Sequence, residues 1–195
     1  DQYVRFVFLT GVSKFSQVSV FSDLNNLNDI TLSPQYAILL GYTQEELERY
    51  FDEYLVACCK ETGVTSEQLL SDIREWYNGY SWNAKDTVYN PFSILNFFSK
   101  QEFGNYWFAT GTPTFLFKLI KQTKTDITRF DRKQVSKILF DSYDIENMNV
   151  FALLFQTGYL TITDVYKDNY GIEYTLDYPN REVKEAFLTY LFEEF

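Results

Sequence analysis

The 195 residues carry 17 Lys and Arg against 27 Asp and Glu, and this net charge of −10 argues against general phosphate-backbone binding through clustered cations. Hydrophobic residues make up 46% and aromatic residues 19%, which excludes a disordered chain and predicts a core packed without disulfides or metals. Histidine is absent, which removes Ser-His-Asp and Cys-His catalysis, His general acid–base work and Cys/His zinc sites.

No apolar run approaches the roughly 18 residues that a membrane span requires. No basic segment followed by an apolar stretch marks a secretory signal, although position 1 is Asp rather than Met. Cys58 and Cys59 are adjacent in a predicted helix, where neighbours point to different sides. A disulfide framework is excluded, thiol packing in the core is expected, and a reducing, cytoplasmic setting fits.

The chain opens on Phe6-Val7-Phe8-Leu9, a continuous apolar run that predicts a buried β-strand over Val4–Leu9, followed by the polar loop Thr10-Gly11-Val12-Ser13-Lys14. Such a strand needs partners on its edges and cover on both faces. It therefore reads as one piece of a larger α/β assembly, with the chain cut at both ends, so that here Val4–Leu9 should be an orphaned edge, pair with another copy or repack against the helices. Ser33-Pro34 opens a short helix closed by Gly41. Thr43-Gln44-Glu45-Glu46 is a capping box for one long helix ending near Gly63. Thr65-Ser66-Glu67-Gln68 caps the next helix, which stops at Asn78-Gly79. Tyr80–Trp82 and Val88-Tyr89 read as a short hairpin. Asn90-Pro91 and Thr112-Pro113 each start a further helix. The polar, β-branched stretch 123–132 is a connection. A helix over 147–156 then ends at Gly158. Strand-like runs at 159–162 and 172–178 follow, with a turn at 168–171 between them. Asn180 caps a C-terminal helix with Val183, Phe187, Tyr190 and Leu191 at helical spacing. Helix, hairpin, helix is the order of a winged-helix module.

Chemistry-bearing patterns are sparse. There is no G-x-x-x-x-G-K-[ST] and no G-x-G-x-x-G, so the chain by itself lacks a phosphate-cradling loop. Glu45-Glu46 and Glu193-Glu194 read as solvated pairs. Glu182-Val183-Lys184 has the E-x-K spacing of metal-dependent nucleases, but it lies at a helix start, where i and i+2 diverge; it is rejected as a catalytic pair. The predicted winged helix lacks the cations of a DNA reader. Residues 147–156 contain no Lys or Arg, and the hairpin sets Lys167 against Asp164, Asp168, Glu173 and Asp177. The ring clusters Trp76-Tyr77-Asn78-Gly79-Tyr80 and Tyr106-Trp107-Phe108 read as a hydrophobic seam rather than a stacking platform for a base or sugar.

Taken in order, the blocks 8–15 (FLTGVSKF), 24–31 (LNNLNDIT), 40–47 (LGYTQEEL), 76–80 (WYNGY), 89–93 (YNPFS), 106–113 (YWFATGTP), 154–162 (LFQTGYLTI) and 178–183 (YPNREV) resemble the predicted AAA-ATPase-like family common in Bacteroides-type bacteria. The resemblance implies an α+β, mainly α chain: the truncated end of a P-loop ATPase core (1–40, a sensor-1-like strand and loop), a helical lid (41–128) and a winged-helix-like module (129–195). The family's Walker motifs would lie upstream of Asp1, and a PD-(D/E)xK-like nuclease effector often follows the winged helix. By the same resemblance Thr10 takes the sensor-1 position, which orients water against the γ-phosphate, with Ser13 and Lys14 as nearby candidates. Gly111-Thr112-Pro113 takes the Gly-x-Pro lid position beside the nucleotide. Their plainer roles are a strand-to-loop turn and an N-cap with Pro at N1. The expected function is to couple nucleotide state to an attached effector. ATP and Mg belong to the complete protein, with no catalytic or metal residue and no complete ATP site in this chain. A protein–protein interaction module is the alternative reading. Nucleic-acid binding ranks third.

Overall fold

The computed structural model describes residues 3–11, 28–109, 114–123, 132–137, 140, 149–169 and 171–194. The N-terminal half is built from capped helices. Ser33-Pro34 opens only a single 3-10 turn, Pro34–Tyr36. α1 (Gln44–Tyr50) starts on the expected capping box: Thr43 Oγ1 accepts the Glu46 N–H at 3.2 Å, and the Glu46 carboxylate accepts the Thr43 N–H at 2.9 Å. The long helix predicted to follow is two helices. It breaks at Phe51 (φ −113°, ψ 16°) and resumes as α2 (Asp52–Thr62). Phe51 is held there by its ring, stacked on Phe98 at 5.0 Å and edge-on to Tyr42 at 5.3 Å. Gly63 ends α2 in the left-handed region, donating its N–H to Cys59 O. α3 (Ser66–Tyr77) begins on Thr65, whose hydroxyl accepts the Gln68 N–H. α4 (Pro91–Lys100) begins on Asn90, whose side chain accepts the Phe92 N–H, with Pro91 at the first helical position. The core between these helices holds Leu47, Leu55, Leu69, Ile73, Ile94 and Phe97, with Tyr77 and Tyr89 fully buried among them. Each such apolar side chain contributes about 1.5–3 kcal/mol on burial.

The short α5 (Tyr106–Ala109) and α6 (Thr114–Thr123) lead into the second half. Its sheet has the order β1-β3-β2, with β1 (Lys133–Ser136), β2 (Thr161–Asp168) and β3 (Gly171–Asp177) antiparallel throughout. β2 and β3 form the expected hairpin, from Thr161↔Asp177 to Asp168↔Gly171, with a register shift between Ile162 and Asp164. The strand anticipated from residue 159 starts at Thr161, because Tyr159 and Leu160 still bond back to Leu154 O at the end of the preceding helix. That helix, α7 (Val150–Gln156), is capped by Asn149, and α8 (Arg181–Glu194) closes the chain. Leu116 and Ile120 of α6, Leu153 and Leu154 of α7, Leu176 of β3 and Val183, Phe187 and Leu191 of α8 share one core. The fold is α+β and mainly helical, with one small antiparallel sheet among the described residues.

Two further expectations differ from the structure. Val4–Leu9 is not a strand. It forms no regular secondary structure and is open to solvent, with Phe6 81% and Leu9 55% exposed. A strand is held by its neighbours' backbone groups, and no described segment pairs with this one. The predicted 80–89 hairpin is reduced to one bridge, Tyr80↔Val88, because Tyr89 pairs instead with Tyr42.

The two halves meet at Gly79. Its φ of +109° favours glycine, and a Cβ there would lie 1.9 Å from Pro179 O. Gly79→Ala is expected to cost more than about 2 kcal/mol in urea unfolding, since strain and a backbone clash coincide. Gly63→Ala, with φ +73° and open space around the new methyl, should cost only about 1 kcal/mol. Equal costs at the two sites would contradict this account.

Candidate functional site

Around this contact the chain buries a carboxylate. Asn180 Oδ1 accepts the Val183 N–H at 3.1 Å and sets the start of α8. The first turn then carries Glu182 on the same side as Ala186, four residues on, and Glu182 is 0% exposed. Its Oε2 accepts the hydroxyl of Ser93 at 2.7 Å, and its Oε1 accepts the Trp107 N–H at 2.8 Å. Ser93 is itself fully buried in the first turn of α4. One side chain thus joins α4, α5 and α8.

A second thread runs alongside. The Ser81 N–H donates to Thr161 Oγ1 at 2.7 Å, Thr161 Oγ1 donates back to Ser81 O at 3.0 Å, and the Ile162 N–H reaches the same carbonyl at 3.2 Å. Gly158, at φ +83°, lets the Trp107 and Tyr80 rings come within contact of the turn before β2. Trp107 meets Tyr159 edge-on at 5.0 Å. The blocks 76–80, 89–93, 106–113, 154–162 and 178–183, scattered in sequence, contribute residues to this one junction.

Among the described residues no Lys or Arg pairs with Glu182. Arg181, its neighbour, bonds Glu185 at 2.6 Å and Glu75 at 3.4 Å and lies over the Trp76 ring at 4.6 Å. Burial pushes the Glu182 carboxyl above the ordinary carboxylate range. Hydrogen bonds from the Trp107 backbone, the Ser93 side chain and the Tyr106 backbone offset this only in part. Burial, and then the Glu182 charge, pushes the Tyr80 hydroxyl up, partly countered by Asn90 and Asn180. Tyr77 rises mainly by burial, although the Gly104 backbone hydrogen bond opposes it. These tyrosines stay neutral and offer no countercharge. The Tyr80 hydroxyl and Asn180 Nδ2 are buried without a hydrogen bond of good geometry. The arrangement can hold a proton between the Ser93 hydroxyl and the Glu182 carboxylate, both of which are sealed from solvent.

The chain is 41% identical over 186 residues to an uncharacterized protein in the vnfD 5′ region of Azotobacter chroococcum mcd 1. The match takes in 95% of this chain and 34% of that relative, so the chain spans about a third of the relative's length. No protein-family profile and no solved structure matches.

The residues anticipated at a nucleotide lie away from this junction or outside the described part. Thr10 is exposed in the irregular opening segment. Ser13, Lys14, Gly111 and Pro113 lie outside the described residues. Among the described residues no group of His, Cys, Asp or Glu is placed to hold a metal, and no helix is long and apolar enough to cross a membrane. Cys58 is buried and Cys59 half-buried, both free thiols, and burial pushes the Cys58 thiol up. The Glu182-Val183-Lys184 triplet does start a helix, with Lys184 exposed and its Nζ 5.8 Å from the Tyr178 ring centre. Sequence reasoning considered Glu182 only as half of that pair. No sequence pattern marks it for burial, since the helix positions on its side are Ala186, Thr189, Tyr190 and Glu193.

Glu182→Ala strands the Ser93 hydroxyl and the Trp107 N–H without water. A loss of about 2–5 kcal/mol in urea unfolding is expected, against about 1–3 kcal/mol for Ser93→Ala. The double variant should lose less than the sum, because both removals break one contact. Strict additivity would show that the two groups act separately.

Proposed function

We propose that this chain is the distal part of an AAA-ATPase-like protein, coupling nucleotide state to an attached effector. In this reading 1–40 completes the ATPase core, 41–128 is the helical lid, and 129–195 is a winged-helix-like platform. The observation that carries it is the junction at Glu182. The two cores are fastened by buried hydrogen bonds and a glycine contact rather than by a loose tether, so displacement of one is transmitted to the other.

Three further features support it. The opening segment 6–9 is apolar at every position and exposed, as expected of a strand whose partners lie elsewhere in a longer protein. The relative is about three times as long as the match. Helix α7, the β2–β3 hairpin and α8 follow in winged-helix order. Thr10 would then orient water against the γ-phosphate, with Ser13 and Lys14 beside it, and Gly111 and Pro113 would report nucleotide state from the lid. ATP and Mg would be held by segments that this chain does not contain. The free cysteines suit the cytoplasm.

A second reading, a protein–protein interaction module, is favoured by one group of observations: Ile38, Leu39 and Leu40 are 48%, 51% and 57% exposed, and Phe92 and Leu95 are exposed on α4. Nucleic-acid binding through the helix–hairpin–helix unit lacks cationic support: α7 has no Lys or Arg, and the hairpin sets Lys167 against four acids.

The readings part in the longer protein. Its sequence ahead of Asp1 should contain G-x-x-x-x-G-K-[ST]. Thr10→Ala should lower ATP hydrolysis roughly 100-fold, and Pro113→Gly should weaken ATP binding. ATP binding and turnover unchanged in the double variant would overturn both site assignments. A longer protein that neither binds nor hydrolyses ATP would leave the interaction reading.

A further inference from the structure

We propose that Glu182 is a proton-sensitive latch between the helical half and the C-terminal unit, tightening the dock of α8 on α4 and α5 when neutral and loosening it when ionised.

The geometry makes the two charge states unequal. The donors to Glu182 are all neutral, the Ser93 hydroxyl, the Trp107 N–H and the Tyr106 backbone beside it, and they meet it away from water. The groups facing it are also neutral. Tyr77 at the end of α3, Tyr80 in the following turn and Tyr106 in α5 all have hydroxyl pKa values raised chiefly by burial. The cations of the flanking elements are engaged elsewhere: Arg181 with Glu185 and Glu75, Lys184 over the Tyr178 ring, and Lys100 of α4 over the Tyr106 ring at 4.5 Å. An ionised Glu182 is therefore a buried charge with hydrogen bonds but no counterion among the described residues, which carries a desolvation cost. A neutral Glu182 is fully satisfied: its O–H can donate to Ser93 Oγ, which accepts as readily as it donates, while its carbonyl oxygen keeps the Trp107 N–H.

The direction follows from linkage. The folded protein holds this proton more tightly than the unfolded chain does. The stabilisation is full below the ordinary carboxylate pKa, is lost as pH rises through the raised value, and is absent above it. Each pH unit of displacement corresponds to roughly a tenfold change in the docking equilibrium. The latch stands on this chain's own geometry. Its use, biasing how firmly lid and platform move together, rests on the coupling function proposed above.

Amide NMR and hydrogen exchange across about pH 4 to 8 test the latch directly. In the wild-type protein the Trp107 amide should titrate with a midpoint above the ordinary carboxylate range. Protection of α5 and the first turn of α8, corrected for intrinsic exchange, should fall across the same window. Glu182→Gln should abolish both responses. Ser93→Ala, which removes a donor to the ionised form, should move the midpoint further up. If Glu182→Gln does not fold, the wild-type titration and the Ser93→Ala shift decide. A Trp107 amide that does not titrate, or pH-dependent protection that survives Glu182→Gln, would overturn the latch. Neither measurement involves nucleotide, so failure here is separable from failure of the ATPase reading.

Discussion

A carboxylate sealed from water has to find its hydrogen bonds inside the chain, and the placement of Glu182 makes three helices answer to that requirement. Ser93 must sit in the first turn of α4, Trp107 must present its backbone N–H from α5, and α8 must be capped at Asn180 so that Glu182, its second residue, turns inward. None of these positions can shift by an ångström without leaving a buried polar group unpaired, and each such group costs about 1–3 kcal/mol. Apolar packing makes the two cores cohere, but it is non-directional. The carboxylate supplies the direction that sets one against the other.

The same junction explains why small residues stand where they do. Gly79 passes against the Pro179 carbonyl too closely for any side chain, and Gly158 admits the Tyr80 and Trp107 rings. Between them the Ser81–Thr161 exchange ties the turn after α3 to the start of β2. The halves are thus joined at several points by contacts rather than at one. A connection of this kind transmits displacement, whereas a polar linker would absorb it.

Local chemistry was legible in the sequence wherever a few adjacent residues decide the outcome. Thr43 with Glu46, Asn90 with Pro91, and Asn180 mark helix starts because side chain and backbone amide lie within four residues of each other. The β2–β3 hairpin was legible from its turn residues and β-branched strands. The break at Phe51 was not, because its cause is a ring stacked on Phe98, 47 positions away in sequence. The strand expected over Val4–Leu9 rests on hydrophobicity alone, and the segment forms none, because no described segment supplies its neighbours. Glu182 was read from its spacing to Lys184, the wrong relation. What matters is its place on the buried side of α8 and the two donors brought to it from 89 and 75 residues away.

The burial of an acid at this point is not a requirement of the fold as such. A glutamine would satisfy the Trp107 N–H, and an apolar side chain with an alanine at position 93 would fill the space without a charge; buried polar groups replaced by apolar ones of similar shape are often neutral or stabilising. A chain that keeps an ionisable group here keeps a contact whose strength varies with its protonation, at the cost of some stability when ionised. That cost is intelligible if the two halves have to alter how firmly they hold each other. A rigid apolar seam would couple them permanently, and a solvated linker would not couple them at all. Glu182 lies between those limits, which is the range a module relaying a conformational signal would occupy.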